Sequence, residues 1–275
     1  MRKNRRILII FSAAVILAFL LAARIFLDYI YRLPVLMYHS INYTRDKANR
    51  MTISPEIFEK QMKFLRERDY NVILLKDAVS YIKAKKNPPP KTVAITIDDG
   101  YEDNYTYAYP VLKKYKIPAT IFVIVDLVGK ENFLNWDEIK KMQASGIIDI
   151  ESHTRSHPFL TGIGDSKLKY ELVSSKMILE ERLGKQVDFL CYPMGVYDER
   201  VKSAARLAGY RAAFATKPTM ISPNYDIYEI KRVRISPNAN NLISFALKIS
   251  GYHAFLRVIQ NDYKDIPYIL WKKRY

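Results

Sequence analysis

Apolar positions along the chain fall into two regimes. The first is one unbroken block near the N-terminus, where "MRKNRR" is followed by "ILIIFSAAVILAFLLAA", Ile7 to Ala23, without a charge. At ~1.5 Å per residue this run spans about 26 Å, slightly less than the ~30 Å hydrocarbon core of a bilayer. Arg24 can snorkel and "IFL" lengthens the stretch, so the pattern predicts a transmembrane anchor within residues 1–32. A cleaved secretion signal is the rival, but the run exceeds an ordinary h-region and no clear A-x-A site follows. The basic tip predicts a cytoplasmic N-terminus, and thus a single-pass cell-membrane protein with residues 33–275 outside.

In the second regime short apolar runs alternate with stretches of helical period. Strands are predicted at 34–38, 71–75, 93–97, 119–124, 147–152, 187–192, 211–216 and 229–235. "SPEIFEKQMKFLRER" reads as a helix with Ser54 as N-cap and Ile57, Phe58, Met62 and Leu65 on one face. "SKLKYELVSSKMILEERLG" repeats the pattern and stops at Gly184. This alternation predicts an α/β fold, an irregular (β/α) barrel of about seven to eight strands, with an open doubly wound sheet as the alternative because periodicity cannot establish closure. "LISFALKI", within the segment 237–275 of unassigned role, reads as a closing helix.

Composition narrows the function classes. With 275 residues and 49% apolar side chains the chain is too hydrophobic for disorder, and its single cysteine, Cys191, excludes an internal disulfide. Of the formal charge of +16, residues 1–32 hold six basic residues and one acid, and the other +11 is spread with no run longer than "KAKK" or "WKKR". Nucleic acid is therefore not the expected partner; a solvated basic surface facing anionic lipid or an anionic polymer is.

Candidate chemistry sits at strand ends. "TIDDG" puts Asp98 and Asp99 after an apolar strand, where alternation points them in different directions, although Asp-Gly alone is ordinary turn chemistry. "IESHTRSHP" puts His153 and His157 after another strand, and Pro158 makes a loop, not a helix, their carrier. Two imidazoles and a carboxylate from a neighbouring strand end suit a three-ligand site for zinc or a similar divalent ion. "YPMG", Tyr192 to Gly195, permits a sharp turn that aims the Met194 N–H into a cleft beside Pro193, and His39 in "LMYHS" lies just beyond a further strand. In a β/α barrel all four segments open on one face.

In this order, "TIDDG", "SHTRSHP" and "YPMG", with "LNWDEIKKMQASGIIDIESH" between the first two, resemble the polysaccharide deacetylases of the NodB-homology type over roughly residues 34–236. The resemblance implies that 33–275 is the catalytic domain, that Asp98 is the general base, and that Asp99, His153 and His157 hold the ion. The early "LMYHS" is similar to the subgroup acting on exported poly-N-acetylglucosamine, which implies His39 as general acid. One departure stands out: Cys191 occupies the place where the family's R-x-P-x-G pattern has arginine. Arg232 in "EIKRVRI" resembles an arginine common late in these domains.

The implied reaction is metal-dependent hydrolysis of N-acetyl groups on an extracellular or cell-wall polysaccharide. Met194 would supply an oxyanion donor and Trp136 a sugar-stacking face. Two other classes compete: a membrane-anchored glycan-binding protein without turnover, kept open by Cys191, and a basic scaffold on anionic lipid, which leaves the clustered ligands unexplained.

Overall fold

Every pairing in the main sheet is parallel, the arrangement that requires a crossover, usually a helix, between successive strands. The computed structural model describes residues 2–43, 51–216, 226–237, 241–253 and 255–256, with side chains from residue 9. Residues 257–275, including "WKKR", lie outside the described residues.

The apolar block forms α1 (Arg2–Ile30), which continues unbroken past Arg24, whose Nε meets Asp28 Oδ2 one turn on at 3.0 Å. β1 (Val35–Tyr38) follows, then β2 (Ser40–Ile41) and β3 (Thr52–Ile53), a separate two-stranded ladder. α2 (Pro55–Glu67) starts as predicted: Ser54 Oγ accepts from the Ile57 N–H, and Phe58, Met62 and Leu65 are buried. The run 71–75, predicted as one strand, splits into β4 (Asn71–Ile73) and the start of α3 (Leu75–Lys83). The alternation continues through β5 (Thr92–Ile97), α4 (Tyr109–Tyr115), β6 (Ala119–Val123), α5 (Trp136–Ala144), β7 (Ile148–Ser152) and α6 (Asp165–Leu183). Gly184 ends α6 at φ 64°, as predicted. β8 (Phe189–Cys191), α7 (Glu199–Leu207), β9 (Ala212–Ala215), β10 (Ile230–Lys231), β11 (Val233–Arg234) and α8 (Leu242–Ile249) complete the order.

The sheet runs β10-β9-β8-β7-β6-β5-β1-β11, and its two terminal segments are halves of one stretch separated only by Arg232. β10 pairs with β9 and β11 with β1, so this stretch closes the barrel. β4 lies along the first half of β5. Counting β10 and β11 as one interrupted strand gives eight strands, which settles the choice in favour of the barrel over the open sheet.

Strand alternation then decides what lies inside. Val35, Ala94, Phe122, Phe189, Phe214 and Ile230 come from six strands and pack together as the interior, with Phe122 and Phe189 each against Phe214 at 5.7 and 6.0 Å. The same parity carried to the strand ends turns His39, Asp98, His153, Cys191 and Arg232 inward.

Candidate active site

Asp98 sits on the inward parity of β5 and is almost fully buried. Arg232, in the break between β10 and β11, takes it bidentately: Nη1 donates to Oδ1 at 2.6 Å and Nη2 to Oδ2 at 2.7 Å. Nη1 also reaches Thr96 Oγ1 at 2.9 Å, Nη2 lies 3.0 Å from Cys191 Sγ, and the guanidinium rests over the Phe122 ring. Burial opposes charge on Asp98, but Arg232, helped by His39 and His153, outweighs it and holds the carboxyl well below the usual carboxylate range. Cys191 is small enough to leave room for this fork, and burial pushes its thiol up, so it sits in the interior as a neutral group.

Asp99 departs from the strand with φ 75° and turns toward the 153–157 loop. Its Oδ1 lies 3.3 Å from His153 Nε2 and 3.8 Å from His157 Nε2, and the three ligand atoms fall within 4.8 Å of one another. Ligand atoms ~2.1 Å from a tetrahedral zinc ion stand about 3.4 Å apart, near the two separations from Asp99, so this donor set suits a divalent ion. His153 Nδ1 lies 2.9 Å from the Cys191 carbonyl, leaving Nε2 as the free nitrogen, a familiar way of fixing a ligand's tautomer. Burial disfavours a proton on His153, yet the Asp99 and Asp98 carboxylates beside it raise its proton affinity above the ordinary value. Burial and the neighbouring His153 lower His157 to about 4. One positive charge is favoured at this point and a second is not.

The loop carrying both histidines is irregular, as Pro158 predicts, and non-glycine residues in the left-handed region gather here: Asp99, Thr154, His157 and Met194. A residue absent from the sequence expectations holds this loop. Glu171 of α6, buried, accepts from the Arg155 N–H at 3.1 Å, the Ser156 N–H at 2.8 Å and Ser156 Oγ at 2.6 Å.

His39 Nε2 lies 3.9 Å from Asp98 Oδ2. Burial lowers its pKa despite Asp98 and Asp99, so it rests neutral at pH 7. Its loop is tied to the aspartate loop: Asp103 accepts from Ser40 Oγ at 2.6 Å and the Ile41 N–H at 3.0 Å, and Asn104 Nδ2 donates to the His39 carbonyl at 3.0 Å. Tyr101 is stacked on Phe133 at 5.2 Å; burial and the neighbouring Asp99 carboxylate push its phenol up to about 12. The only sequence signal for Tyr101, Asp103 and Asn104 was their place directly after "TIDDG".

Met194 adopts φ 53° and is half-exposed; the Gly195 and Val196 N–H groups donate to Tyr192 and Pro193, whereas the Met194 N–H has no such acceptor among the described residues. Gly195 is required here, because a Cβ would lie 1.4 Å from Thr216 Oγ1. The other two candidates stay outside the cluster. Tyr192 is fully buried, donating to the Tyr228 carbonyl at 2.9 Å and stacked on Tyr197, and Trp136 is half-buried at the start of α5 under the Arg182 guanidinium.

Comparison with known proteins agrees with this geometry. The polysaccharide deacetylase family profile matches residues 85–213. The Bacillus subtilis protein YxkH, named for the same family, is 38% identical over 206 residues, covering 75% of this chain and 72% of its own length. A poly-beta-1,6-N-acetyl-D-glucosamine N-deacetylase of Staphylococcus aureus is 34% identical over 201 residues, covering 68% of this chain and 69% of the relative. The structure of the Streptococcus pyogenes deacetylase PplD in complex with acetate superposes with a TM-score of 0.71 at 28% identity, covering 77% of this chain and 96% of that one. A closed parallel barrel, an Asp–His–His cluster at its strand ends and relatives matched over more than two thirds of their length lead to one assignment: the chain belongs to the polysaccharide deacetylase family.

Proposed function

We propose that the protein is a metal-dependent N-deacetylase acting outside the membrane on an N-acetylglucosamine polymer, with α1 as its anchor. The observation that carries this reading is the convergence of Asp99, His153 and His157 beside an aspartate fixed by a buried guanidinium. The S. aureus relative's named substrate supports the polymer, and acetate in the PplD structure supports the leaving fragment. The span Ile9–Ile30, 22 residues and about 33 Å as a helix, is long enough for a bilayer.

Asp99, His153 and His157 would hold the ion, which supplies Lewis acidity at the acetyl carbonyl and acidifies water it binds. Asp98 takes the proton as water attacks. Its depressed pKa makes it a weak base, so its contribution lies in a fixed orientation and in acting on acidified water. The Met194 N–H donates to the developing oxyanion, and His39, neutral at rest and 3.9 Å from Asp98, receives the proton that Asp98 took from water and passes it to the departing amine as the C–N bond breaks. The products are acetate and a free amine that becomes cationic. Arg232 supplies a guanidinium to Asp98 where Cys191 has none, which removes the ground for a binding-only reading.

The test is acetate release from N-acetylglucosamine oligomers by the full chain in detergent, before and after chelation and zinc reconstitution. Asp98→Asn and His39→Asn should each lower kcat by about 10²–10⁴-fold with zinc content unchanged. Unaltered turnover in either variant, or none in the zinc-loaded wild type on any N-acetylated glycan, rejects the assignment.

A further inference from the structure

The strand-start end of the barrel, opposite the active site, has a basic recess that the reaction does not use. Asp98, just beyond β5, lies six positions after Thr92 at its start, about 20 Å along the strand. At the Thr92 end, a recess of about 100 Å³ opens between the end of α2, the start of β4 and the approach to β6. Arg66, Tyr70, Asn71 and Lys116 line it with apolar Val72 and Ile117, and no carboxylate does. Neither the Arg66 guanidinium nor the Lys116 ammonium forms an ion pair among the described residues. The space suits a single phosphate group and is too small for a sugar chain.

This end is also where α1 joins the barrel. The Arg32 N–H donates to the Gly251 carbonyl at 2.9 Å, Asn87 Nδ2 donates to the Asp28 carbonyl at 3.0 Å, and the Tyr31 ring packs edge-on to Tyr252 at 5.7 Å. Tyr70, which lines the recess, is close enough to Tyr31 to contribute to the rise of its phenol to about 12, for which burial is the main cause. Exposed Arg68, Lys83, Lys85, Lys86 and Lys91 surround the same end. Basic pockets beside membrane helices are suited to lipid headgroups.

We propose that this recess binds the phosphate of an anionic phospholipid, seating the barrel floor on the bilayer so that the Asp98–His153 mouth opens away from the membrane. The inference rests on α1 being a membrane anchor. Native mass spectrometry of the detergent-solubilised full chain, titrated with phosphatidylglycerol or phosphatidylcholine, tests the recess, and flotation with phosphatidylcholine vesicles tests the anchor. We expect retention of phosphatidylglycerol at least about 10-fold tighter than phosphatidylcholine, and loss of that preference in R66Q/K116Q, with flotation and acetate release intact. K140Q/K169Q, which removes the same charge from exposed sites on α5 and α6, should keep the preference. Equal retention of the two lipids, or an undiminished preference in R66Q/K116Q, overturns the recess assignment. Displacement of phosphatidylglycerol by equimolar inorganic phosphate overturns the lipid in favour of free phosphate. A chain that fails to float with neutral vesicles overturns the anchor, and the seated orientation with it.

Discussion

Arg232 and Asp98 are both almost completely removed from water, and each depends on the other to remain charged there. A buried pair of this kind adds little net stability, but removing one partner leaves a lone buried charge and costs about 3–5 kcal/mol. Arg232→Met should therefore lower the free energy of unfolding in urea by about that amount at pH 7, and D98N/R232M by less than the sum of the single changes. The sign with pH follows. With Arg232 present the folded-state pKa of Asp98 is depressed, so the pair stabilises at pH above the unfolded carboxylate's value and loses this as pH falls through the folded one. Without Arg232 burial raises that pKa, so the deficit in R232M should shrink between pH 7 and pH 4; a constant deficit would place its cause in lost packing on Phe122. The sequence exposed the vacancy at Cys191 and named Arg232 as a candidate. That the two meet was illegible, because it depends on a strand broken at one residue to close the barrel, 41 positions beyond Cys191.

At the level of elements, the loop from His153 to His157 was legible because Pro158 and the preceding apolar strand excluded a helix, whereas its support was not. Glu171 looks like any helical glutamate between Tyr170 and Leu172, yet α6 turns it inward to collect the Arg155 and Ser156 N–H groups. These bonds shape the backbone between the two histidines without touching either ring. Loss of such support typically costs 10–100-fold in metal affinity, so Glu171→Ala should weaken zinc binding by about that factor in a chelator competition. Glu171→Gln retains one oxygen acceptor and should recover part of it. If E171A binds zinc as tightly as the wild type, the loop holds its shape through Thr154 Oγ1, which accepts from the His157 N–H at 3.1 Å. The run 71–75 shows the converse limit: a short apolar stretch carries no period that marks where β4 ends and α3 begins.

For the whole molecule, the junction between α1 and the barrel determines whether the catalytic domain hangs on a free tether or stands on a fixed foot. Only Tyr31 to Pro34 separate α1 from β1, and they are packed: Phe26 meets Phe255 at 5.7 Å, and Gly251 admits the Tyr31 ring where a Cβ would come within 2.2 Å of it. Gly251 also has φ +83°, a conformation that side chains rarely adopt. Gly251→Ala therefore forces Tyr31 off its seat and strains the turn after α8, at a local cost of about 1–3 kcal/mol. The barrel closes through strand pairings of Ile230 with Phe214 and Val233 with Leu36, none of which uses Tyr31 or Gly251, so zinc affinity and acetate release from soluble oligomers should be unchanged. What should change is access to Arg32: limited trypsin digestion of the full chain in detergent is expected to separate α1 from the barrel several-fold faster in G251A. Y31A already vacates the ring's place, so Y31A/G251A should be cleaved little faster than Y31A alone. Equal resistance of G251A and wild type would mean that the foot is held by the bond between the Arg32 N–H and the Gly251 carbonyl rather than by the aromatic seat, since that bond needs no space at Cβ.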